Sequence, residues 1–160
     1  MSMKITDWEL SNIEPVEEVP LSQNEHLLYI ENAMVIPVPE TTQPNVMKIK
    51  FKSLSKDGEG SLISFFLRTK DGMDYNRQVI GTLNSLKRAL RGPEHTKGIL
   101  TPDDMLYGVV KANVVLSNPR EYNGEVRQFP NIYEFHPVSK FELDTIASLG
   151  FQTQEQYSTQ

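Results

Sequence analysis

Three lysines occupy every second position of an otherwise apolar segment: Lys48, Lys50 and Lys52. Alternate residues of a β-strand point to the same side, so a strand over Val46–Leu54 would carry the lysines on one face and Met47, Ile49 and Phe51 on the other. Ammonium groups spaced along one face can neutralise successive phosphates of a polyanion. The pattern therefore predicts a half-buried strand with a cationic outer face.

Phe66 and Arg68 alternate in the same way in the next predicted strand, Ser61–Arg68. A glycine-containing turn at Lys56–Gly60 joins the two strands into a predicted hairpin, and their pairing would place Phe66 and Arg68 beside the lysines. An aromatic ring that stacks on a base contributes about 1–3 kcal/mol whatever the base, while cations bind the backbone. This combination is typical of proteins that bind single-stranded nucleic acid with little sequence preference.

A second basic and aromatic group flanks the Asn123-Gly124 pair, which favours a tight reversal. Its members are Arg120, Tyr122 and Arg127. We predict that this hairpin tip joins the lysine strand in one nucleic-acid-binding site. Each feature also has an ordinary structural explanation, because a lysine row blocks edge-to-edge aggregation and a tyrosine can brace its turn. The coincidence of all three features is what favours binding.

Side chains capable of catalysis or metal binding are few and scattered. The chain has no cysteine, which excludes thiolate metal sites and cysteine nucleophiles. His26, His95 and His136 are far apart in sequence and lack metal-ligand spacing. Asp103 and Asp104 stand at the start of a short predicted helix, where capping explains them. We therefore expect a protein without enzyme activity, metal or cofactor.

The elements that would position these residues follow from hydrophobic periodicity. Between the third and fourth predicted strands, apolar residues at steps of three and four predict a helix from Tyr75 to Leu90, with Asp74 as its N-cap. A capping-box pattern at Ser139–Glu142 predicts a C-terminal helix. The five predicted strands are His26–Ile36, Val46–Leu54, Ser61–Arg68, Val109–Ser117 and Val126–Phe135.

This order of elements predicts a mainly β fold. We expect a five-stranded barrel like that of oligonucleotide/oligosaccharide-binding (OB) proteins, with a helix between strands 3 and 4 and an appended C-terminal helix. In such a barrel the face of strands 2 and 3 is the usual ligand platform. Other five-stranded antiparallel barrels and small sandwiches have the same strand count and stay open as alternatives.

The 160 residues suffice for one domain with a sizeable core. We divide the chain into an acidic N-terminal arm (1–24), an OB-like domain (25–138), the C-terminal helix (139–150) and a flexible tail (151–160). The net charge is −5, yet residues 41–140 hold fifteen cations against ten acids. Because screening confines each charge to about 8–10 Å, this basic body can still attract a polyanion.

No apolar run in the sequence has the ~20 residues that cross a bilayer. The first twenty residues are acidic and lack the apolar core of a signal peptide. We therefore expect no membrane partner and a location in the cytoplasm.

Four segments carry a resemblance to known proteins: Asn45–Phe51, the Leu83–Leu90 helix that ends in cations, Met105–Val110 and Asn131–Phe135. They are similar to a group of small bacteriophage proteins of formerly unknown function, encoded among replication and recombination genes. The resemblance covers residues 25–138 and implies single-stranded DNA binding in phage replication or recombination, within the host cytoplasm. Phage recombination or replication proteins are candidate partners, and a homo-oligomer is a possible assembly state.

One departure concerns the chain ends. Many bacterial and phage single-strand binders end in an acidic tail that recruits partner enzymes, whereas Phe151–Gln160 contains only Glu155 and the acids lie in the N-terminal arm. That arm is either a nucleic-acid mimic covering the basic face or a solubilising segment. Two rival functions stay open: a module that docks a phage or host DNA-processing or defence protein, and an enzyme that uses Asp103 or Asp104 with a metal.

Overall fold

A computed structural model describes residues 19–41, 43–69, 74–94 and 100–158 of a mainly β protein. The strands are β1 (Glu25–Pro37), β2 (Pro44–Ser53), β3 (Gly60–Phe66), β4 (Val109–Leu116), β5 (Arg120–Tyr122), β6 (Glu125–Arg127) and β7 (Pro130–His136). The helices are α1 (Arg77–Arg91), α2 (Pro102–Met105), α3 (Lys140–Ser148) and α4 (Gln154–Ser158).

Five strands form one antiparallel sheet in the order β3-β2-β1-β4-β7, and β5 and β6 form a separate two-stranded sheet. The first four predicted strands and the hairpin of the second and third are confirmed. The fifth predicted strand, Val126–Phe135, is wrong as a continuous strand. The Phe129 carbonyl still accepts from the Ser117 N–H, but the Phe129 N–H donates to the Ser117 hydroxyl in place of a backbone carbonyl, and Pro130 has no N–H to donate.

The five-stranded sheet is strongly curved. Strands β2 and β7 are three strand spacings apart along the sheet, which would be about 14 Å if the sheet were flat. The ring centroids of Phe51 in β2 and Phe135 in β7 are nevertheless only 5.7 Å apart. Phe65 of β3, one strand further away, lies 6.3 Å from Phe135. A bulge in β1 between Ile30 and Asn32 contributes to this bend, since bulges increase local twist.

Helix α1 packs inside the curve of the sheet. It begins after Asn76, whose side chain accepts a hydrogen bond from Val79 N–H, and not after Asp74 as predicted. It ends at Gly92, whose φ of 111° favours glycine. The main core therefore combines α1 with the inner face of the strands; its fully buried members include Leu28, Ile30, Met47, Ile49, Phe51, Leu86, Val110 and Val114.

Two buried hydroxyls of α1 satisfy the free backbone edge of β7. The Thr82 hydroxyl donates to the Tyr133 carbonyl at 2.8 Å. The Ser85 hydroxyl accepts from the Phe135 N–H at 2.9 Å and donates to the Thr82 carbonyl. Because an unpaired buried backbone group costs about 1–3 kcal/mol, these bonds explain two polar residues within an apolar helix face.

Helix α3 covers part of the outer face of the sheet. Its predicted capping box is confirmed: the Ser139 hydroxyl accepts from the Glu142 N–H, and the Glu142 carboxylate accepts from the Ser139 N–H. Ile146 packs against Tyr29 of β1 and Val109 of β4. These three buried residues form a second, smaller core on the opposite side of the sheet from α1.

Residues 151–154, the first part of the predicted flexible tail (151–160), contact the rest of the domain. The Phe151 ring centroid lies 5.3 Å from that of Tyr29, and the Tyr29 hydroxyl donates to the Gln152 carbonyl at 2.6 Å. In α4, the Gln154 side-chain amide donates to the Asp104 carbonyl at 2.6 Å. The Phe151 ring and the Gln152 backbone thus contact β1, and the Gln154 side chain contacts α2; composition alone does not reveal these partners.

The N-terminal arm enters along the edge of β3. The Val19 N–H donates to the Gly58 carbonyl at 3.1 Å, and the Val19 carbonyl accepts from the Gly60 N–H at 2.9 Å. Leu21 is buried in the main core. Residues 1–18, the larger part of the predicted acidic arm, lie outside the described residues. The arm is thus attached to the domain at its carboxyl-terminal end.

Candidate nucleic-acid interface

The outer side of the β2–β3 hairpin carries cations beside apolar side chains. In the antiparallel register, Lys48 is paired with Ser64 and Lys50 with Leu62. Phe66 follows two residues after Ser64 and so lies on the same side as the lysines. The predicted convergence of Phe66 with this row is confirmed. With their β1 neighbour, these residues form what we call the open face: Met34, Lys48, Lys50, Leu62, Ser64 and Phe66.

The apolar members of the open face are unusually accessible. Phe66 is 58%, Leu62 56% and Met34 47% exposed. Contiguous exposed apolar residues framed by polar ones mark binding surfaces in folded proteins. Lys48 and Lys50 are half-buried, as expected when lysine stems lie along apolar neighbours and only the ammonium reaches water. The open face can thus offer flat apolar contact and positive charge within one surface.

Arg68 extends the cationic surface beyond Phe66. Its guanidinium carbon lies 4.7 Å from the ring centroid of Tyr75, and one terminal nitrogen donates to the Gln43 side-chain carbonyl at 2.7 Å. Its Nε is buried without a hydrogen-bond partner. Tyr75 forms an isolated β-bridge with Arg68 and is 54% exposed. Sequence reasoning assigned Tyr75 only to the helix stripe and missed Gln43, because neither contact follows from periodicity.

Lys52 stands apart from the other two lysines. Its ammonium lies 5.5 Å from the ring centroid of Phe151, a cation–π contact with the C-terminal segment. Its Cα partner on β1 is Tyr29, which belongs to the second core under α3. The lysine row is therefore divided: Lys48 and Lys50 belong to the open face, whereas Lys52 marks the border of the covered part.

Arg120, Tyr122 and Arg127 lie on the β5–β6 hairpin, where all three are exposed. Arg120 and Arg127 are cross-strand partners, and an Arg127 terminal nitrogen donates to the Glu125 carboxylate at 2.9 Å. The hairpin follows β4, whose partner is the first half of β1, whereas Lys48 and Lys50 pair with the second half. The structure places this group in a sheet of its own and not on the open face.

His26 has a structural role. It is buried, with Nδ1 2.7 Å from the Ser53 hydroxyl and Nε2 2.8 Å from the Ser22 carbonyl. A carbonyl only accepts, so Nε2 carries the proton and Nδ1 accepts from Ser53. The Lys56 N–H in turn donates to the Ser53 hydroxyl. This chain of bonds ties the arm to the β2–β3 turn and leaves no ring nitrogen for catalysis.

The described residues contain no group of three or more histidines and acids placed to hold a metal ion. Asp104 caps α2, and the Thr101 backbone N–H holds the pKa of its carboxyl below the ordinary value, with Arg91 3.2 Å away adding to the effect. This ionised, hydrogen-bonded carboxylate matches the capping explanation given for the Asp103-Asp104 pair. His95 lies outside the described residues, and His136 is exposed at the end of β7.

No protein-family model matches the chain, and no curated protein matches it significantly. Among the helices of the described residues, none has the length and apolarity needed to cross a bilayer.

Proposed function

We propose that the chain is a non-catalytic single-stranded DNA-binding protein of OB type that acts in phage DNA replication or recombination in the host cytoplasm. The observation that carries the proposal is the open face, where Lys48 and Lys50 share a sheet surface with the exposed ring of Phe66. Cations that track phosphates beside a ring that stacks on bases are the usual elements of a single-strand binding surface.

The sheet order supports the OB interpretation. In an OB barrel the first strand pairs with both the second and the fourth. If such a barrel is opened between its third and last strands, the strand order is β3-β2-β1-β4-β7, which is the order found here. The curvature brings Phe65 and Phe135 of the two edge strands within 6.3 Å. Helix α1 lies between β3 and β4 in sequence and bonds to the β7 edge, as expected of the helix that fills the barrel end.

Single strands are the favoured ligand because a duplex has no free base to stack. Phe66 protrudes from a strand and can accept an unstacked base, while the bases of a duplex already stack on one another. Arg68, whose guanidinium carbon is 4.7 Å from the Tyr75 ring centroid, would contact a neighbouring phosphate or base. The β5–β6 hairpin holds Arg120 and Arg127 but also Glu121 and Glu125, so it adds no net positive charge and the proposal does not depend on it.

Titration of a fluorescently labelled dT oligonucleotide, followed by anisotropy at two salt concentrations, tests the proposal. A duplex of equal length is the competing ligand. We expect the single strand to bind more tightly than the duplex, and its affinity to fall as salt rises, because each neutralised phosphate contributes about −0.7 to the log–log slope. An oligonucleotide that stays free at low salt would contradict the proposal and favour a protein-docking module.

A further inference from the structure

A second surface feature lies apart from the open face, between α3 and the end of β2. It is an apolar groove of about 310 Å³. Phe141 and Thr145 share one face of α3, and Leu149 follows four residues later at the C-cap of the helix; all three line one wall. Phe141 is 80% and Leu149 71% exposed, among the most accessible apolar side chains of the described residues. The other wall includes Leu27, Lys52, Leu54, Asp57 and Phe151.

We propose that this groove is the docking site of the chain's own N-terminal segment, residues 1–18. Those residues lie outside the described part, which starts at Val19 at the edge of β3. The proposal concerns an apolar contact within one molecule and is independent of nucleic-acid binding.

The direction of the chain at Val19 supports this assignment. Val19 pairs in parallel with Glu59, and its N–H donates to the Gly58 carbonyl. A parallel continuation of this pairing would direct the preceding residues toward Gly58 and Asp57, and Asp57 lines the groove. Eighteen residues at about 3.3 Å each span far more than the length of one helix of this size. The segment thus starts at the rim of the groove and can run along it.

The composition of the segment matches the groove. A solvated acidic arm needs few apolar residues, since those side chains gain free energy only when buried. Seven of the eighteen residues are apolar: Met1, Met3, Ile5, Trp8, Leu10, Ile13 and Val16. Five acids accompany them, and the nearest groove cation is Lys52, whose ammonium already stacks on Phe151. Apolar side chains can fill the groove while the carboxylates stay in water near that ammonium.

Tethering favours this occupant over a second molecule. A segment linked directly to the rim has an effective concentration in the millimolar range, so contacts too weak to hold a free peptide still keep it bound. Phe141 and Leu149 are only two exposed apolar residues, far fewer than the roughly 20–30 residues a side of a stable interface, which suits an intramolecular contact better than a stable dimer interface.

Trp8 reports directly on the docking because it is the only tryptophan in the chain. Its fluorescence can be excited without the tyrosines in the full-length protein. We expect a blue-shifted emission maximum and weak acrylamide quenching, independent of protein concentration. In the double variant Phe141→Ser/Leu149→Ser, the emission should shift to the red and quenching should rise severalfold. Both substituted side chains are exposed, so the fold should persist, which far-ultraviolet circular dichroism checks.

Val126→Ser is the matched control, because Val126 is 73% exposed and lies on the β5–β6 hairpin outside the groove. It should leave Trp8 fluorescence unchanged. An emission maximum typical of free tryptophan in the unsubstituted protein would overturn the proposal, and so would an equal red shift in the control. A blue shift that appears only as protein concentration rises, together with a dimeric mass, would assign the groove to a second copy instead.

Discussion

The outer side of the five-stranded sheet is covered in one region and exposed in another. Over the first half of β1 and over β4 it is covered, since α3 and Phe151 bury Tyr29 and Val109 in a second core. Over β2 and β3 it carries the exposed ring of Phe66, which lies beyond Lys48 on the same side as Lys48 and Lys50. Apolar groups on the outer side of a curved sheet are either covered by other parts of the protein or exposed, where they can bind a ligand. The contrast separates a structural surface from a proposed binding surface.

Lys52 lies at the border between these two surfaces. It continues the alternation of Lys48 and Lys50, yet its ammonium stacks on Phe151 of the covering segment. The same residue type at the same spacing thus has two different environments along a single strand. Substitutions on either side of this border are the direct way to test the contrast.

The largest effect is expected in the covered part. Ile146→Ala should reduce the free energy of unfolding by about 2–4 kcal/mol, because it removes buried methyl groups and leaves a cavity between α3 and the sheet. Leu62→Ala on the open face should change it by less than about 0.5 kcal/mol, because Leu62 is largely exposed. Denaturant titration measures both values. Similar losses in the two variants would show that the open face is also packed.

The next effect concerns binding through the open face. Phe66→Ala should weaken dT binding by about 1–3 kcal/mol, the usual contribution of one stacked base, and leave the stability unchanged. Tyr133→Ala is the matched control, since Tyr133 is an exposed aromatic residue of β7 outside the open face. Anisotropy titrations at one salt concentration measure both. Equal losses in the two variants would remove Phe66 from the proposed site.

A smaller effect should separate the lysines. The double variant Lys48→Ala/Lys50→Ala should flatten the log–log salt slope of dT binding by about 1.4, which is two phosphate contacts at about 0.7 each. Lys52→Ala should flatten it less and instead reduce the stability by about 0.5–1 kcal/mol through the lost cation–π contact. Salt titrations and denaturation curves provide the two measurements. If Lys52→Ala flattens the slope by about 0.7, Lys52 contacts a phosphate and belongs to the open face.

Local patterns in the sequence predict much of the fold. Period-two alternation located β2 and β3 and put Lys48, Lys50 and Phe66 on one side, because that period is intrinsic to a strand. The Ser139–Glu142 capping box located the start of α3 for a similar reason, since it is a contact within four residues. Such features need no knowledge of distant parts of the chain.

Other features depend on residues far apart in sequence, and sequence reasoning missed them. Ser85 is polar within an apolar stripe because it bonds to the Phe135 N–H fifty residues away. The predicted fifth strand breaks because Ser117 captures the backbone of Phe129. The residues predicted to form one site lie on two separate surfaces for the same reason. Hairpin residues such as Tyr122 follow β4, and periodicity does not specify where that hairpin lies relative to β2.

The smallest effect is a pH dependence confined to the covered part. The Ser139 N–H and the Lys111 ammonium, 3.0 Å away, hold the pKa of Glu142 below its ordinary value of 4.5. A carboxyl with a lowered folded pKa stabilises the folded state above its unfolded pKa, and this contribution is lost as the pH falls through the folded value. We therefore expect amide exchange in the first turn of α3, corrected for its intrinsic rate, to accelerate as the pH drops below 4.5.

Glu142→Gln should abolish that acceleration, because a glutamine at this position can keep the capping bond but does not titrate. Glu134→Gln, at an exposed glutamate of β7, is the matched control and should retain it. Exchange in β2 and β3 should follow only the intrinsic rate over the same pH range, since the open face has lysines and no carboxylate. If amide exchange in β2 and β3 accelerates together with that in α3, the covering helix and the open face unfold as one unit. The two surfaces then differ in exposure and not in local stability.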